Sequence, residues 1–569
     1  MSSEETSLYD RKPWLKNWPE GVPQTIDYPK ISLSEMLEQT VSRFPDKDAL
    51  IFFGRRIKYK ELGSLVNKFA SALHSLGIRK GDVVALYLPN TPQFVIAYYG
   101  AMKIGAIVTG VSPLFTEREL EFQLKDSEAK AIVLLDILFP RFEKIWRNTN
   151  VRFVIVSNIS DYMPGLKAFL GRLLKKIPGH RVKPGKNIYF FKEFVEGASE
   201  TPPKVEVNPL EDIAVLQYTG GTTGLPKGTM LTHFNLISNA VGCSAWLRAK
   251  PGEDTALAVL PFFHIYGMTV VMNFSIYSGG TMILLPRFDT KQVLESIEKY
   301  KVTLFPGVPT MYAVIVNHPD VNKYNLRSIK FCISGAAPLP PEIQRKFMEL
   351  TGSVLVEGYG LTEASPVTHC NPLDPTMKKV KVGSIGIPWP DTEAKIVDVE
   401  TGSKEMPVGE VGELIVRGPQ VMKGYWKRPE ETSQVLRDGW LYTGDLGKMD
   451  EDGYFYITDR KKDLIKYKGY SVYPRELEDI LYQHPAVKLA AVIGKPDPVA
   501  GEIPKAFVVL KEGAKATEEE IKKFVNERVA PYKAIREVEF RSELPQSMVG
   551  KILRRVLREE ELKKANKGG

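Results

Sequence analysis

Cysteine is scarce: Cys243, Cys332 and Cys370 are the only three in 569 residues. So few thiols, lying without metal-ligand spacing, exclude a disulfide framework and a thiolate metal centre. They read as small core hydrophobes in a reducing compartment. Long apolar runs are absent too. No stretch approaches the roughly 18 residues that span a bilayer. The opening MSSEETSLYDRKPW is polar and acidic, without the apolar core of a secretory signal. The expected location is the cytoplasm, with at most a peripheral relation to a membrane. No DNA- or RNA-binding motif occurs, so no nucleic-acid partner is expected. The P-loop order G-x-x-x-x-G-K-[ST] is missing as well, which disfavours a P-loop nucleoside triphosphatase.

What is present is ordinary for a large globular chain: 43% hydrophobic and 25% charged residues, with length for about three or four domain-sized units. A net charge of +9 suits a polyanionic ligand or an anionic membrane, though a solvated surface with a small Lys excess explains it more plainly.

Apolar runs and helical periods alternate. Strands are predicted at Val83–Leu88, Ala106–Val111 and Ala131–Leu135, with a helix over Pro92–Ile104 and a capping box from Thr116 to Glu119. Further on come strands Ala256–Leu260, Thr281–Leu285, Val302–Phe305 and Ile329–Ile333, and helices Asp289–Lys299 and Pro341–Leu350. This pattern predicts layered α/β sheets with ligands at the strand ends. Past about residue 445 a charged, Gly-rich stretch precedes a compact set: helix Pro474–Gln483, strands Leu489–Ile493 and Ala506–Leu510, helix Thr517–Val529 and strand Glu537–Phe540. A frayed helix is expected after Lys551. The fold class is therefore α/β: a large N-terminal, multi-subdomain layered domain (1–458), a hinge (459–463) and a small mobile C-terminal α/β domain (464–569).

The most informative stretch, Tyr218-Thr219-Gly220-Gly221-Thr222-Thr223-Gly224-Leu225-Pro226-Lys227-Gly228, follows the apolar strand Ile213–Gln217. Glycines let backbone N–H groups approach phosphate oxygens, threonines add donors, and Lys227 adds a positive charge. A bare turn would look similar. Four more motifs accompany it: Glu357-Gly358-Tyr359-Gly360-Leu361-Thr362-Glu363, Tyr442-Thr443-Gly444-Asp445, Asp459-Arg460-Lys461-Lys462-Asp463 running into Lys466-Tyr467-Lys468-Gly469-Tyr470, and Leu544-Pro545-Gln546-Ser547-Met548-Val549-Gly550-Lys551.

Together they make nearly the whole chain resemble the adenylate-forming superfamily of acyl-CoA synthetases, beetle luciferase and peptide-synthetase adenylation domains, and most of all the bacterial and archaeal long-chain fatty acid–CoA ligases. The resemblance implies an ATP-dependent, AMP-forming ligase that turns a long- or medium-chain fatty acid into its acyl-CoA through an acyl-adenylate. It implies ATP, Mg²⁺ and coenzyme A as cofactor and co-substrates. By resemblance, ATP or AMP meets Thr219, Gly220, Gly221, Thr222, Thr223, Gly224, Lys227, Gly358, Tyr359, Thr362, Asp445, Arg460 and Lys551. Tyr359 would pack on adenine, Thr362 would meet the α-phosphate, and Asp445 with Arg460 would hold the ribose. Glu363 and Thr219 would hold Mg²⁺, and Lys462 would be the pivot. Lys468, Gly469 and Tyr470 would border CoA. Lys551, Thr362 and Lys227 would stabilise developing charge. Gln546 stands where the family often has Lys, a flanking departure that leaves Lys551 in register.

Pro261-Phe262-Phe263-His264-Ile265-Tyr266-Gly267-Met268 resembles the acid-binding segment, in which His264 positions rather than transfers a proton. The acyl pocket implied comprises His264, Ile265, Tyr266, Gly267, Gly307, Pro309, Gly335 and Ala336. No acid occurs between Asp254 and Asp289, so an amino acid's ammonium would be buried unpaired there. Residues 162–192 contain no acid but eight basic residues, and Leu166, Phe169, Leu170, Leu173, Leu174 and Ile177 recur at helical spacing. That pattern suits contact with an anionic membrane, and equally a helix packed on its own domain. Another acid or acceptor and a non-catalytic lipid or nucleotide carrier remain as alternatives, and the oligomeric state stays open, a homodimer included.

Overall fold

The computed structural model describes residues 7–174, 177–219, 226–547, 550 and 552–567. The chain divides into two compact units: a larger one of Asn17–Glu393 and Arg417–Leu441, and a smaller one of Met1–Lys16, Ala394–Val416 and Tyr442–Gly569. Both are layered α/β structures, as expected.

In the larger unit an eight-stranded sheet runs in the order Gly424–Tyr425, Lys227–Thr232, Ile213–Thr219, Ile107–Gly110, Val83–Tyr87, Ala131–Leu135, Phe153–Ser157 and Ile188–Phe190. From Ile213–Thr219 onward the pairings are parallel. Parallel strands covered on both faces need apolar residues throughout, and Val83–Tyr87 and Ala131–Leu135 are buried at every position. Thr116 and Glu119 form the expected capping box.

A second sheet sets Thr255–Ala258, Thr281–Leu284 and Asp48–Phe52 parallel, with Arg55–Lys58 antiparallel at its edge. In a third, Phe331–Ser334 is parallel to Val354–Gly360, followed by antiparallel Val367–Cys370 and Ile387–Pro388. The expected strand Val302–Phe305 is reduced to single bridges from Leu304 to Ala256 and Phe331. Lys301 enters it in the left-handed region at φ 53°, and Pro306 removes the next donor, so too few residues are left to extend the ladder.

The smaller unit combines three separated stretches of chain. Glu393–Val397, Gly412–Arg417, Trp440–Met449 and Phe455–Arg460 form one sheet in that order. The N-terminal segment packs on it: Trp14, 2% exposed, meets Phe455 edge-on at 6.0 Å, and Lys16 pairs with Asp452 at 2.6 Å. Gly453 sits beneath Trp14 at φ +81°, where a Cβ would fall 2.4 Å from the Trp14 nitrogen. The second sheet centres on Gly501–Leu510, flanked by Val487–Asp497 and Glu537–Phe540. Alternation gives it two buried faces. Ala490, Val492, Ala506 and Val508 pack with Leu477, Leu481, Ile521 and Val525 of helices Pro474–Tyr482 and Glu518–Asn526. Ala491, Ile493, Phe507 and Val509 pack with Leu544 and Leu557. Leu557 belongs to the helix Arg554–Lys567, which lies where a helix was expected after Lys551 and covers that second face.

Candidate active site

Three groups of expected residues come together in the larger unit. The first lies at the end of the strand Ile213–Thr219. Thr219 pairs in register with Lys227 on the antiparallel return strand, so the two stand opposite each other at the mouth of the Gly/Thr loop. Gly220, Gly221, Thr222, Thr223, Gly224 and Leu225 lie outside the described residues. The Lys227 ammonium is paired with Glu431, their side chains 11% and 26% exposed. It also lies 5.1 Å from the centre of the Tyr425 ring, close enough for a cation–π contribution. Tyr425 pairs with Thr229 across the sheet edge, and its hydroxyl donates to Glu363 Oε1 at 2.8 Å. Burial first, and then the Glu363 charge, raise the Tyr425 pKa, so the phenol stays protonated and keeps donating.

The second group lines the strand Val354–Gly360 and the turn after it. Tyr359 stands opposite His369, their rings 6.0 Å apart edge to face. Gly358 would place a Cβ 3.0 Å from Ile333, and Gly360 would place one 2.1 Å from the Pro366 carbonyl, so a side chain at 360 is excluded. Thr362 and Glu363 occupy a one-turn 3₁₀ helix that ends at Ser365 in the left-handed region. The Glu363 carbonyl accepts from the Met422 N–H at 2.8 Å, fixing this turn beside Tyr425.

The third group is apolar. Gln217 Nε2 donates to the Phe263 carbonyl at 2.8 Å, joining the phosphate-loop strand to the segment that carries His264. His264 Nδ1 accepts from the Tyr266 N–H at 3.2 Å, which fixes the ring. Tyr266 is buried and donates to the Ile333 carbonyl at 2.7 Å. Gly307 and Gly335 are hydrogen-bonded neighbours at 3.2 Å, and a Cβ on Gly335 would reach within 3.1 Å of the Tyr266 ring. Ala336 sits at φ 68°, and Pro309 opens the helix Pro309–Val316. Ile265 is buried, and Gly267 begins a π-helix, Gly267–Asn273, whose residues are all buried. A small apolar cavity behind Ile333 is lined by Leu247, Val270, Phe274 and Phe331.

In the smaller unit, Asp445 and Arg460 stand opposite each other on neighbouring strands, with Arg460 Nε 3.3 Å from Asp445 Oδ1. Lys461 pairs with Glu413 at 2.9 Å. Lys461–Asp463 is a single 3₁₀ turn, and the exposed Lys462 presents its carbonyl to Arg558 at 2.7 Å. Lys468 and Gly469, at φ 47° and 85°, form a two-residue hairpin turn between Ile465–Tyr467 and Tyr470–Val472. Tyr470 stacks on Tyr532 at 4.9 Å. Met548, Val549 and Lys551 lie outside the described residues.

Arg554, three residues beyond Lys551, is an anchor that sequence reasoning missed. Its guanidinium meets Glu478 through two nitrogens, Asp463 at 3.1 Å and Asp459 at 3.5 Å. Asp459 precedes Lys462 and Asp463 follows it. Burial opposes the Arg554 charge, but Glu478, Asp459 and Asp463 outweigh it and raise the pKa. Glu431 and Tyr425 were missed as well. Glu431 reads in sequence as an ordinary acid in the first turn of the helix Pro429–Val435, and only the fold brings it to Lys227.

Removing Arg554 strands three carboxylates under cover. Arg554→Ala is expected to destabilise the chain by about 3–5 kcal/mol, read as a lowered urea midpoint, with Arg554→Lys recovering part of the loss.

Residues 37–426 match the AMP-binding enzyme family, and residues 476–551 match the AMP-binding enzyme C-terminal domain. A long-chain-fatty-acid–CoA ligase of Bacillus subtilis (strain 168) is 49% identical over 559 residues, covering 97% of this chain and 99% of that protein. Among solved structures, ATP-bound MatB from Rhodopseudomonas palustris superposes with a TM-score of 0.80 at 30% identity, covering 93% of this chain and 99% of that one. A long-chain-fatty-acid–CoA ligase (FadD1) from Archaeoglobus fulgidus does so with a TM-score of 0.68 at 32% identity, covering 92% and 99%. With both parts matched and the strand-end cation, glutamate turn and carboxylate–arginine pair all present, the chain belongs to the AMP-binding enzyme family.

Proposed function

We propose that this chain is an AMP-forming acid–thiol ligase that activates a long-chain fatty acid with ATP and passes the acyl group to coenzyme A. The observation that carries this reading is the gathering of Lys227, Tyr425 and Glu363 at the end of the phosphate-loop strand, in a chain that shares 49% identity with a long-chain-fatty-acid–CoA ligase. The acid is already an anion, so the first step needs positioning and charge stabilisation more than a base. A carboxylate oxygen attacks the α-phosphorus, the bond to the β-phosphate breaks, and pyrophosphate leaves.

Lys227 and the Gly/Thr loop hold the phosphates, Thr362 and Lys551 the α-phosphate, Tyr359 and Gly358 the adenine side, and Asp445 with Arg460 the ribose. Tyr425 occupies one Glu363 oxygen, and among the described residues the other is open to a hard cation. That carboxylate and the Thr219 hydroxyl are hard oxygen donors of the kind that would hold Mg²⁺. Bound there, Mg²⁺ would neutralise phosphate charge. His264, held by the Tyr266 N–H, orients the acid. Ile265, Tyr266, Gly267, Gly307, Pro309, Gly335 and Ala336 form the apolar wall, on which each buried CH₂ contributes roughly 0.8 kcal/mol towards chain-length preference.

In the second step the segment 464–569 turns against 1–458 about Lys462 and the hinge 459–463, withdrawing Lys551. The Lys468-Gly469-Tyr470 turn admits the CoA arm. The CoA sulfur then attacks the acyl carbon, the bond to phosphate breaks, and AMP leaves.

No helix among the described residues is long and apolar enough to cross a membrane. Peripheral contact through 162–192 is supported by the helix Gly165–Leu173 and the residue after it. Leu166, Phe169, Leu173 and Leu174 there are 60–72% exposed in a stretch whose charged side chains are all basic.

Pyrophosphate release across acids of graded length should favour long chains and yield thioester only with CoA; pyrophosphate without thioester would make the acceptor wrong. Lys551→Ala is expected to slow acyl-adenylate formation about 100-fold, and full-rate adenylation would remove Lys551 from the mechanism. Lys462→Pro should preserve adenylation while slowing thioester formation; equal losses in both steps would count against the hinge. Neutralising Arg172, Lys175 and Lys176 together should reduce co-sedimentation with anionic vesicles, and unchanged binding would end the membrane reading.

A further inference from the structure

The best-covered cation of the larger unit's site does not wait for its ligand unpartnered. Lys227 is buried against the Tyr425 ring and paired with Glu431. A triphosphate that takes the Lys227 ammonium therefore has to break that pair first. Glu431 has somewhere to go, because its other oxygen lies 3.5 Å from Arg428 Nε. Arg428 is itself held 3.2 Å from Asp126 Oδ1. Asp126 is fixed from two further sides, by the Tyr218 hydroxyl at 2.6 Å and by Trp426 Nε1 on its carbonyl at 3.1 Å. The arrangement forms a short relay of alternating charge: Lys227, Glu431, Arg428, Asp126.

We infer that Glu431 is the exchangeable counter-ion of Lys227, a positioning residue that sets the affinity for ATP and the ease with which pyrophosphate leaves. With no ligand present, Glu431 holds the ammonium over Tyr425 and prevents it from folding away. When polyphosphate arrives, Lys227 transfers to it and Glu431 leans on Arg428, so that no carboxylate is stranded. When pyrophosphate departs, Glu431 reclaims the ammonium and competes against rebinding. The carboxylate thus weakens substrate binding in order to speed product release. This rests on the reading of Lys227 as a phosphate ligand.

Glu431→Gln keeps the shape and removes the charge. It should tighten binding of α,β-methylene-ATP, which cannot undergo the cleavage, by about five-fold, the scale of a partly exposed ion pair. The inhibition constant of pyrophosphate should fall by a similar factor, while the KM for the fatty acid stays unchanged. In a Lys227→Gln background the same substitution should have no effect. Analogue binding that is unchanged or weaker in folded Glu431→Gln would overturn the inference. If that variant does not fold, Glu431→Asp, which shortens the reach to Lys227, should tighten analogue binding in the same sense, and its failure to do so would overturn it equally. Lys227→Gln alone separates the two readings. If it leaves analogue binding intact, the phosphate role of Lys227 falls. If it weakens binding while Glu431→Gln changes nothing, only the counter-ion role falls.

Discussion

A cation taken out of water has to meet a carboxylate, and that requirement organises the chemistry of this chain. Lys227 has Glu431, and Arg554 has Glu478, Asp463 and Asp459, while the buried carboxylates Asp445 and Glu413 meet the more exposed cations Arg460 and Lys461. Each pair trades desolvation for Coulomb attraction and gains little net stability. What it gains is direction. A paired ammonium or guanidinium occupies one place, so an incoming anion meets a charge already aimed. Tyr425 adds a neutral link, carrying Lys227 on its ring face and Glu363 on its hydroxyl. One aromatic side chain thus holds the residue proposed for phosphate and the residue proposed for metal at a common place.

Much of the fold was legible because buried parallel strands must be apolar at every position, as at Val83–Tyr87 and Ala131–Leu135. Capping chemistry was equally legible at Thr116, where two side-chain types three residues apart carry the signal. Val302–Phe305 misled because its composition suits a strand while its flanks, Lys301 and Pro306, prevent one. The π-helix Gly267–Asn273 left no trace in the sequence, since a segment buried on all sides shows no period. That Asp445 and Arg460 meet one sugar was expected from motif resemblance alone; that they are cross-strand neighbours comes from the fold and was not expected. Glu431 and Arg554 were invisible for a different reason. Each looks like a common surface charge until the fold brings it to a partner far away in sequence.

The smaller unit draws its first sixteen residues from the start of the chain and the rest from beyond residue 393. Trp14 and Lys16 close against Phe455 and Asp452 across a separation of more than 400 residues. Loop closure grows only slowly with length in free energy, but contacts this distant form late in time. The opening segment leaves the ribosome long before the surface it will cover exists. During synthesis Trp14 therefore waits for its partner, and this contact can close only once the strand Phe455–Arg460 has emerged.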